Sequence, residues 1–166
     1  MLTIAAIWKG CAMAVVREAV ASDIPRLCDL LALLFTQEAD FRPDRAKQEA
    51  GLRKIMADPV LGRILVLADD GDVVGMVNLL FTVSTAEGAK AAILEDMVID
   101  PERRGRGDGE RLLQSAIAFA KGMGCVRITL LTDRDNGRAI AFYQRHGFRL
   151  SEMIPLRLHV SREDGD

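Results

Sequence analysis

Apolar residues repeat at two periods along this chain, and each change of period marks a new element. Residues 14–17 read as a short first strand. Ser22 or Asp23 then offers an N-cap, Pro25 suits a first helical turn, and Leu27, Leu30, Leu31 and Leu34 share one helical face. A second helix is predicted from near Asp44 to Met56 or Ala57, where Leu52, Ile55 and Met56 stand among charges until Asp58-Pro59 stops it. Glu38, Asp40 and Phe41 lie in the connection between these helices. Apolar strands over 63–68 and 73–82 flank a short hairpin turn, 69–72. The polar stretch 84–90 leads to a strand over 91–99, with Ile93, Glu95 and Met97 on one face and Leu94, Asp96 and Val98 on the other. Both faces are partly apolar, which predicts a central strand. Glu95 or Asp96 must then meet something wet, paired or catalytic, because burying a lone carboxylate is costly.

In the second half the period lengthens again. Leu112, Leu113, Ala116, Ile117 and Ala120 line one side of a helix over 109–121, and Gly122 and Gly124 stop it. A strand over 126–131 follows, then a helix within 136–147 that ends at Gly147. Two final strands, 148–154 and 156–160, are predicted on either side of Pro155, with a frayed tail over 161–166. Hairpins in the middle and crossover helices later predict an α/β fold, a mixed and mostly antiparallel central sheet with helices on both faces. Residues 13–160 read as one domain, because residues 1–12 are apolar but interrupted by Lys9 and too short to span a bilayer. They are expected to be an extension, with Met13 as the ordinary domain start.

Composition narrows the function. Lys plus Arg at 22 against Asp plus Glu at 24 leaves no basic excess to recommend nucleic acid as a partner, and nothing suggests a membrane. Cys11, Cys28 and Cys125 are odd in number and widely spaced, so neither a disulfide framework nor a zinc site is indicated. Cys28 and Cys125 read as core thiols, His146 and His159 have no partner at ligand spacing, and a reducing cytoplasm is expected.

Candidate chemistry gathers where the strand over 91–99 gives way to the next helix. Gly105, Gly107 and Gly109 alternate with Arg106 and Asp108 there, so the backbone can curl around a ligand and aim helix-start amides at it. That is a phosphate-binding pattern, with Arg103, Arg104 and Arg106 as cationic arms. The spacing Arg104-x-x-Gly107-x-Gly109 fits neither the dinucleotide fingerprint nor the P-loop. The bland alternative is a Gly- and Arg-rich turn that merely starts a helix.

The spacing resembles the acyl-coenzyme A binding segment of the GNAT superfamily of N-acyltransferases. By that resemblance, Arg104, Gly105, Arg106, Gly107, Asp108 and Gly109 hold the cofactor pyrophosphate, while Met97, Val98 and Ile99 offer backbone groups to the acetyl and pantetheine parts. The family usually has an aliphatic residue where this chain has Asp108. A carboxylate there would cap the helix or, near pyrophosphate, repel it. Asn136, Ala139, Tyr143, Gly147 and Phe148 match a second family pattern, which implies that Asn136 bonds the pantetheine arm and Tyr143 protonates the leaving thiolate. From the residues alone, Asn136 is also a helix cap and Tyr143 a core aromatic.

The string over 84–107 further resembles the polyamine and diamine acetyltransferase branch, which implies that Glu95 approaches the amine. The helical pair before it resembles the lid over the acceptor substrate in acyltransferases of this type. The implied activity is N-acetyl transfer from acetyl-CoA, as cosubstrate, to a small-molecule or protein amine, without metal, in a protein that the family suggests is a homodimer. A non-catalytic acyl-CoA binder and a nucleic-acid module built on Arg103, Arg104 and Arg106 remain as competing classes.

Overall fold

A computed structural model describes residues 14–36, 43–158 and 160 of the 166. The expected extension over 1–12, the tail over 161–166, Cys11, His159 and the Glu38, Asp40 and Phe41 connection lie outside the described residues. The chain divides into two compact units, Met1–Leu131 and Thr132–Asp166.

The first unit is a five-stranded sheet in sequence order: β1 (Val15–Glu18), β2 (Gly62–Asp69), β3 (Asp72–Ser84), β4 (Ala89–Ile99) and β5 (Cys125–Leu130). The first three pairings are antiparallel and β4 with β5 is parallel, so the sheet is mixed and mostly antiparallel, with β4 an interior strand as expected. Helices α1 (Ile24–Phe35) and α2 (Arg45–Ala57) lie between β1 and β2 in the chain, and α3 (Asp108–Gly122) makes the crossover that a parallel pair requires. Between β2 and β3, Asp70 and Gly71 both have positive φ, 51° and 89°, as a two-residue hairpin turn demands.

Alternation along the strands divides the core into two layers. Ile64, Val66, Met76 and Val98 pack with Leu27, Leu30, Leu31 and Leu52 of α1 and α2. Leu65 and Leu67, of the opposite parity, are equally buried, as are Leu112, Leu113, Ala116 and Ala120 of α3. The entry to α1 differs from expectation. Asp23 stands at the N-cap position without a side-chain cap bond, and its carboxylate turns back to accept the Val20 N–H at 2.8 Å and both arms of Arg17 at 2.7 and 3.0 Å. The Arg17 hydrogen bonds hold this carboxyl below the usual carboxylate range despite its burial. Asp44 is the N-cap of α2, accepting the Lys47 N–H at 3.2 Å.

In the second unit, α4 (Gly137–Arg145) forms as predicted, but no strand forms among residues 148–158. Leu150, Met153, Ile154, Leu156 and Leu158 are exposed there. Their spacing suits a strand, but a strand is defined by its ladder partners, which propensity does not supply.

Candidate active site

The turn from β4 into α3 is braced from behind. Asp100 donates its N–H to the Val74 carbonyl at 2.9 Å, accepts the Glu102 N–H at 2.9 Å and pairs with Arg26. The Glu102 amide first, and Arg26 second, hold the Asp100 carboxyl below its ordinary range. Beyond a short 3₁₀ turn, Pro101–Arg103, Gly105 and Gly107 adopt φ of 80° and 83°, and a Cβ at either would meet no other heavy atom within 4 Å. Backbone conformation, rather than crowding within the chain, therefore calls for glycine, and the surface over the loop is open. The first α3 bond runs from the Arg111 N–H to the Gly107 carbonyl at 3.0 Å, so the amides of Asp108 and Gly109 sit in the first helical turn, the positive end of the helix dipole.

Two members of the loop do something the sequence did not suggest. Asp108 is only 7% exposed and accepts Arg103 Nε at 3.0 Å, while Arg103 Nη1 pairs with Asp69 at the β2–β3 turn. Asp108 therefore makes no helix cap, and its charge is offset by a cation from the same loop. Arg103, expected as a phosphate arm, is held by these two carboxylates, and bonding to Asp69 and then Asp108 raises its pKa. Arg104 and Arg106 are exposed, and Arg104 reaches back only weakly, donating to the Ile99 carbonyl at 3.4 Å.

Upstream, β4 departs from simple alternation. Met76 lies opposite Val98 and Asn78 opposite Glu95, so two steps on β3 face three on β4. The extra residue is a bulge, and Asp96 has the positive φ of 52° that such an insertion imposes. Asp96 is thereby turned onto the buried amide of Asn78, whose Nδ2 donates to Asp96 Oδ2 at 2.6 Å. Glu95 is exposed. The ladder between β4 and β5 ends at Leu94 and Leu130, while β4 itself continues through Met97, Val98 and Ile99 to the loop.

Beneath the bulge is a cavity of about 290 Å³. Leu31, Phe35, Leu52 and Ile55 give it apolar walls, and Asp96, Asn78 and Gln48 bring polar groups to it, with Asp44 and Lys47 also lining it. Asp96 lines this cavity and Glu95 does not.

In the second unit, Asn136 caps α4, its Oδ1 accepting the Ala139 N–H at 3.1 Å, which leaves Nδ2 as the donor for a ligand. Tyr143 packs edge-on between Phe142 and Phe148, with ring centroids 5.3 and 5.6 Å away. Burial pushes the Tyr143 hydroxyl above its ordinary pKa, so it is held in the protonated form. His146 Nδ1 lies 2.8 Å from the Phe142 carbonyl. Cys28 and Cys125 are buried free thiols whose pKa burial raises, the opposite of an activated nucleophile. Among the described residues, no cluster of His, Cys, Asp or Glu could hold a metal ion, and no helix is long and apolar enough to cross a membrane.

The acetyltransferase (GNAT) family model matches residues 24–148, three quarters of the chain and both glycine-loop and tyrosine-helix segments. The chain belongs to the GNAT family of acetyltransferases. Among its relatives, the uncharacterised N-acetyltransferase YhfO of Bacillus subtilis is 29% identical over 136 residues, covering 80% of this chain and 88% of YhfO. The glucosamine 6-phosphate N-acetyltransferase of Trypanosoma brucei brucei is 30% identical over 83 residues, 49% of this chain and 54% of that enzyme. Among solved structures, a transcriptional regulator from Bacillus halodurans C-125 superposes with a TM-score of 0.75 at 25% identity, covering 89% of this chain and 99% of its own.

This acetyltransferase is therefore an acetyl-transferring enzyme, and the mixed sheet of the fold is the one the family resemblance implied. Its sequence pattern anticipated the left-handed glycines of the loop and the Asn136 helix cap. It did not locate the Arg103 pairings or the association of Gln48, Asn78 and Asp96. The usable signal for that association was Asn78, a polar residue inside an otherwise apolar strand run.

Proposed function

We propose that this enzyme moves an acetyl group from acetyl-CoA to a primary amine by direct attack in a ternary complex. The observation that carries the reading is a carboxylate, Asp96, turned by the β4 bulge into an apolar cavity on the same strand that ends in the glycine loop. The loop suits the cosubstrate: Gly105, Gly107 and the amides at the start of α3 form an open anion cradle, and Arg104 and Arg106 add charge while Arg103 offsets Asp108. Bound there, acetyl-CoA supplies an activated thioester. The backbone of Met97, Val98 and Ile99 would pair with its pantetheine arm as another strand does, and Asn136 Nδ2 would donate to the same arm.

The transfer needs a neutral amine and a protonated leaving group. Asp96 accepts a proton from the ammonium, directly or through water. The nitrogen then forms its bond to the acetyl carbon as the carbon–sulfur bond breaks and releases its surplus proton to solvent, while Tyr143 gives a proton to the departing sulfur and regains one from solvent. The polyamine and diamine branch, nearest in local pattern, supports an amine acceptor and would give the Asp96 role to Glu95. Glucosamine 6-phosphate, the acceptor named for the trypanosomal relative, is a second amine of this kind. The buried thiols suit a reducing cytoplasm, and a homodimer is part of the same proposal, open to sedimentation.

Thiol release from acetyl-CoA with a panel of amines tests the reaction. Asn tolerates positive φ, so D96N keeps the bulge while removing the base. D96N should retain acetyl-CoA binding and lose about a hundredfold or more in kcat/KM, with E95Q close to the parent. The reverse pattern would return the amine-facing role to Glu95.

A further inference from the structure

The cavity under the bulge holds two polar groups that no described residue satisfies. Asn78 is 1% exposed and Gln48 8% exposed, and Asn78 Oδ1 and Gln48 Nε2 are buried without a hydrogen-bond partner among the described residues. Buried polar atoms are almost always paired, because leaving one unpaired costs stability. Two orphans lining one cavity therefore point to a ligand that completes them. The orientation of Asn78 is fixed by its bond to Asp96, since only Nδ2 can donate to a carboxylate, and this leaves Oδ1 as an acceptor. Asn78 and Asp96 together present acceptors for the N–H groups of one amine. Gln48, reaching the cavity from α2, presents a carboxamide for a second polar group.

From this we infer, resting on the acceptor reading above, that Gln48 and Asn78 select a small primary monoamine whose apolar body carries one uncharged hydrogen-bonding group, a hydroxyl or a carbonyl. Leu31, Phe35, Leu52 and Ile55 would enclose the methylene body. Among the described lining residues other than Asp96, a second ammonium finds no open carboxylate, because Asp44 already accepts the Lys47 N–H at 3.2 Å and lies 3.3 Å from Lys47 Nζ. That same pair offsets the Lys47 charge that a phosphate or carboxylate would need. The volume, about 290 Å³, suits a compact molecule rather than a long polyamine.

The experiment measures thiol release by the full chain with four acceptors: a straight-chain amino alcohol, an alkylamine and a diamine of the same length, and glucosamine 6-phosphate. The amino alcohol should exceed the alkylamine in kcat/KM by about tenfold or more, and Q48L should bring that ratio to about one while acetyl-CoA affinity is kept. In Q48E, a new carboxylate should raise the diamine relative to the amino alcohol, which separates a specificity effect from a folding defect. Preference for the diamine or sugar phosphate by the parent, or an unchanged ratio in both folded variants, would overturn the inference. So would turnover of none of the four by a chain that binds acetyl-CoA. Failure of the acceptor reading itself is distinct: D96N would then turn over these amines as the parent does.

Discussion

Tyr143 carries a proton that burial makes hard to remove, and its proposed role as general acid depends on this. Because its pKa is raised, the acid form persists through neutral and moderately alkaline pH. Any alkaline loss of rate due to Tyr143 should therefore lie above the ordinary tyrosine value of about 10. The sign for stability is the same: the half-buried tyrosine's contribution is complete below that value and is lost as pH rises through the folded pKa. Y143F should bind acetyl-CoA nearly as the parent does, since both rings fill the space between Phe142 and Phe148, while kcat falls tenfold to about ten-thousandfold. An unchanged kcat under chemistry-limited conditions would leave Tyr143 as a packing residue. At this scale the Asn136 cap and the left-handed glycines were legible because local spacing fixes them. Which of Glu95 and Asp96 lines the cavity was not, since the bulge that turns Asp96 inward exists only in the register with β3. Gln48 was equally hidden, one polar residue among many on a helix with little apolar contrast.

At the scale of elements, the glycine loop and the β2–β3 turn are tied by one side chain, Arg103, which binds Asp69 and Asp108 together. This makes the effect of Asp108 conditional. D108I should bind acetyl-CoA as well as the parent or better, because Arg103 retains Asp69. R103Q should weaken binding by about fivefold to a hundredfold, leaving a nearly buried carboxylate uncompensated beside the phosphate cradle. The double variant R103Q/D108I should recover most of that loss. Calorimetry of the four proteins measures the coupling, and simple additivity would remove Arg103 from this role. The helices and β2 to β5 were readable from periodicity, which burial enforces residue by residue. The strands expected over 148–160 were not, because an alternating apolar pattern cannot specify whether a partner edge is present.

Over the whole molecule, the described core is concentrated in the first unit. Among the described residues, all the buried hydrophobic ones lie between Ile24 and Cys125, and none belongs to α4. Native-state amide exchange should accordingly be slowest in β2, β3 and β4, and faster by orders of magnitude over 137–158, where Tyr143 resides. Equal protection in both regions would contradict that division. The sheet order also has a bearing on how the chain reaches its native state. β2, β3 and β4 are consecutive and joined by short turns, so their closure costs little entropy, whereas β1 must wait for some forty intervening residues of α1 and α2 to be gathered in. The Asp70-Gly71 turn would then belong to the folding nucleus. G71A, strained at a φ of 89°, should slow refolding more than it speeds unfolding, and stopped-flow kinetics would register that asymmetry. On that route the β4 bulge, and with it the carboxylate proposed to face the amine, takes shape before β1 completes the sheet.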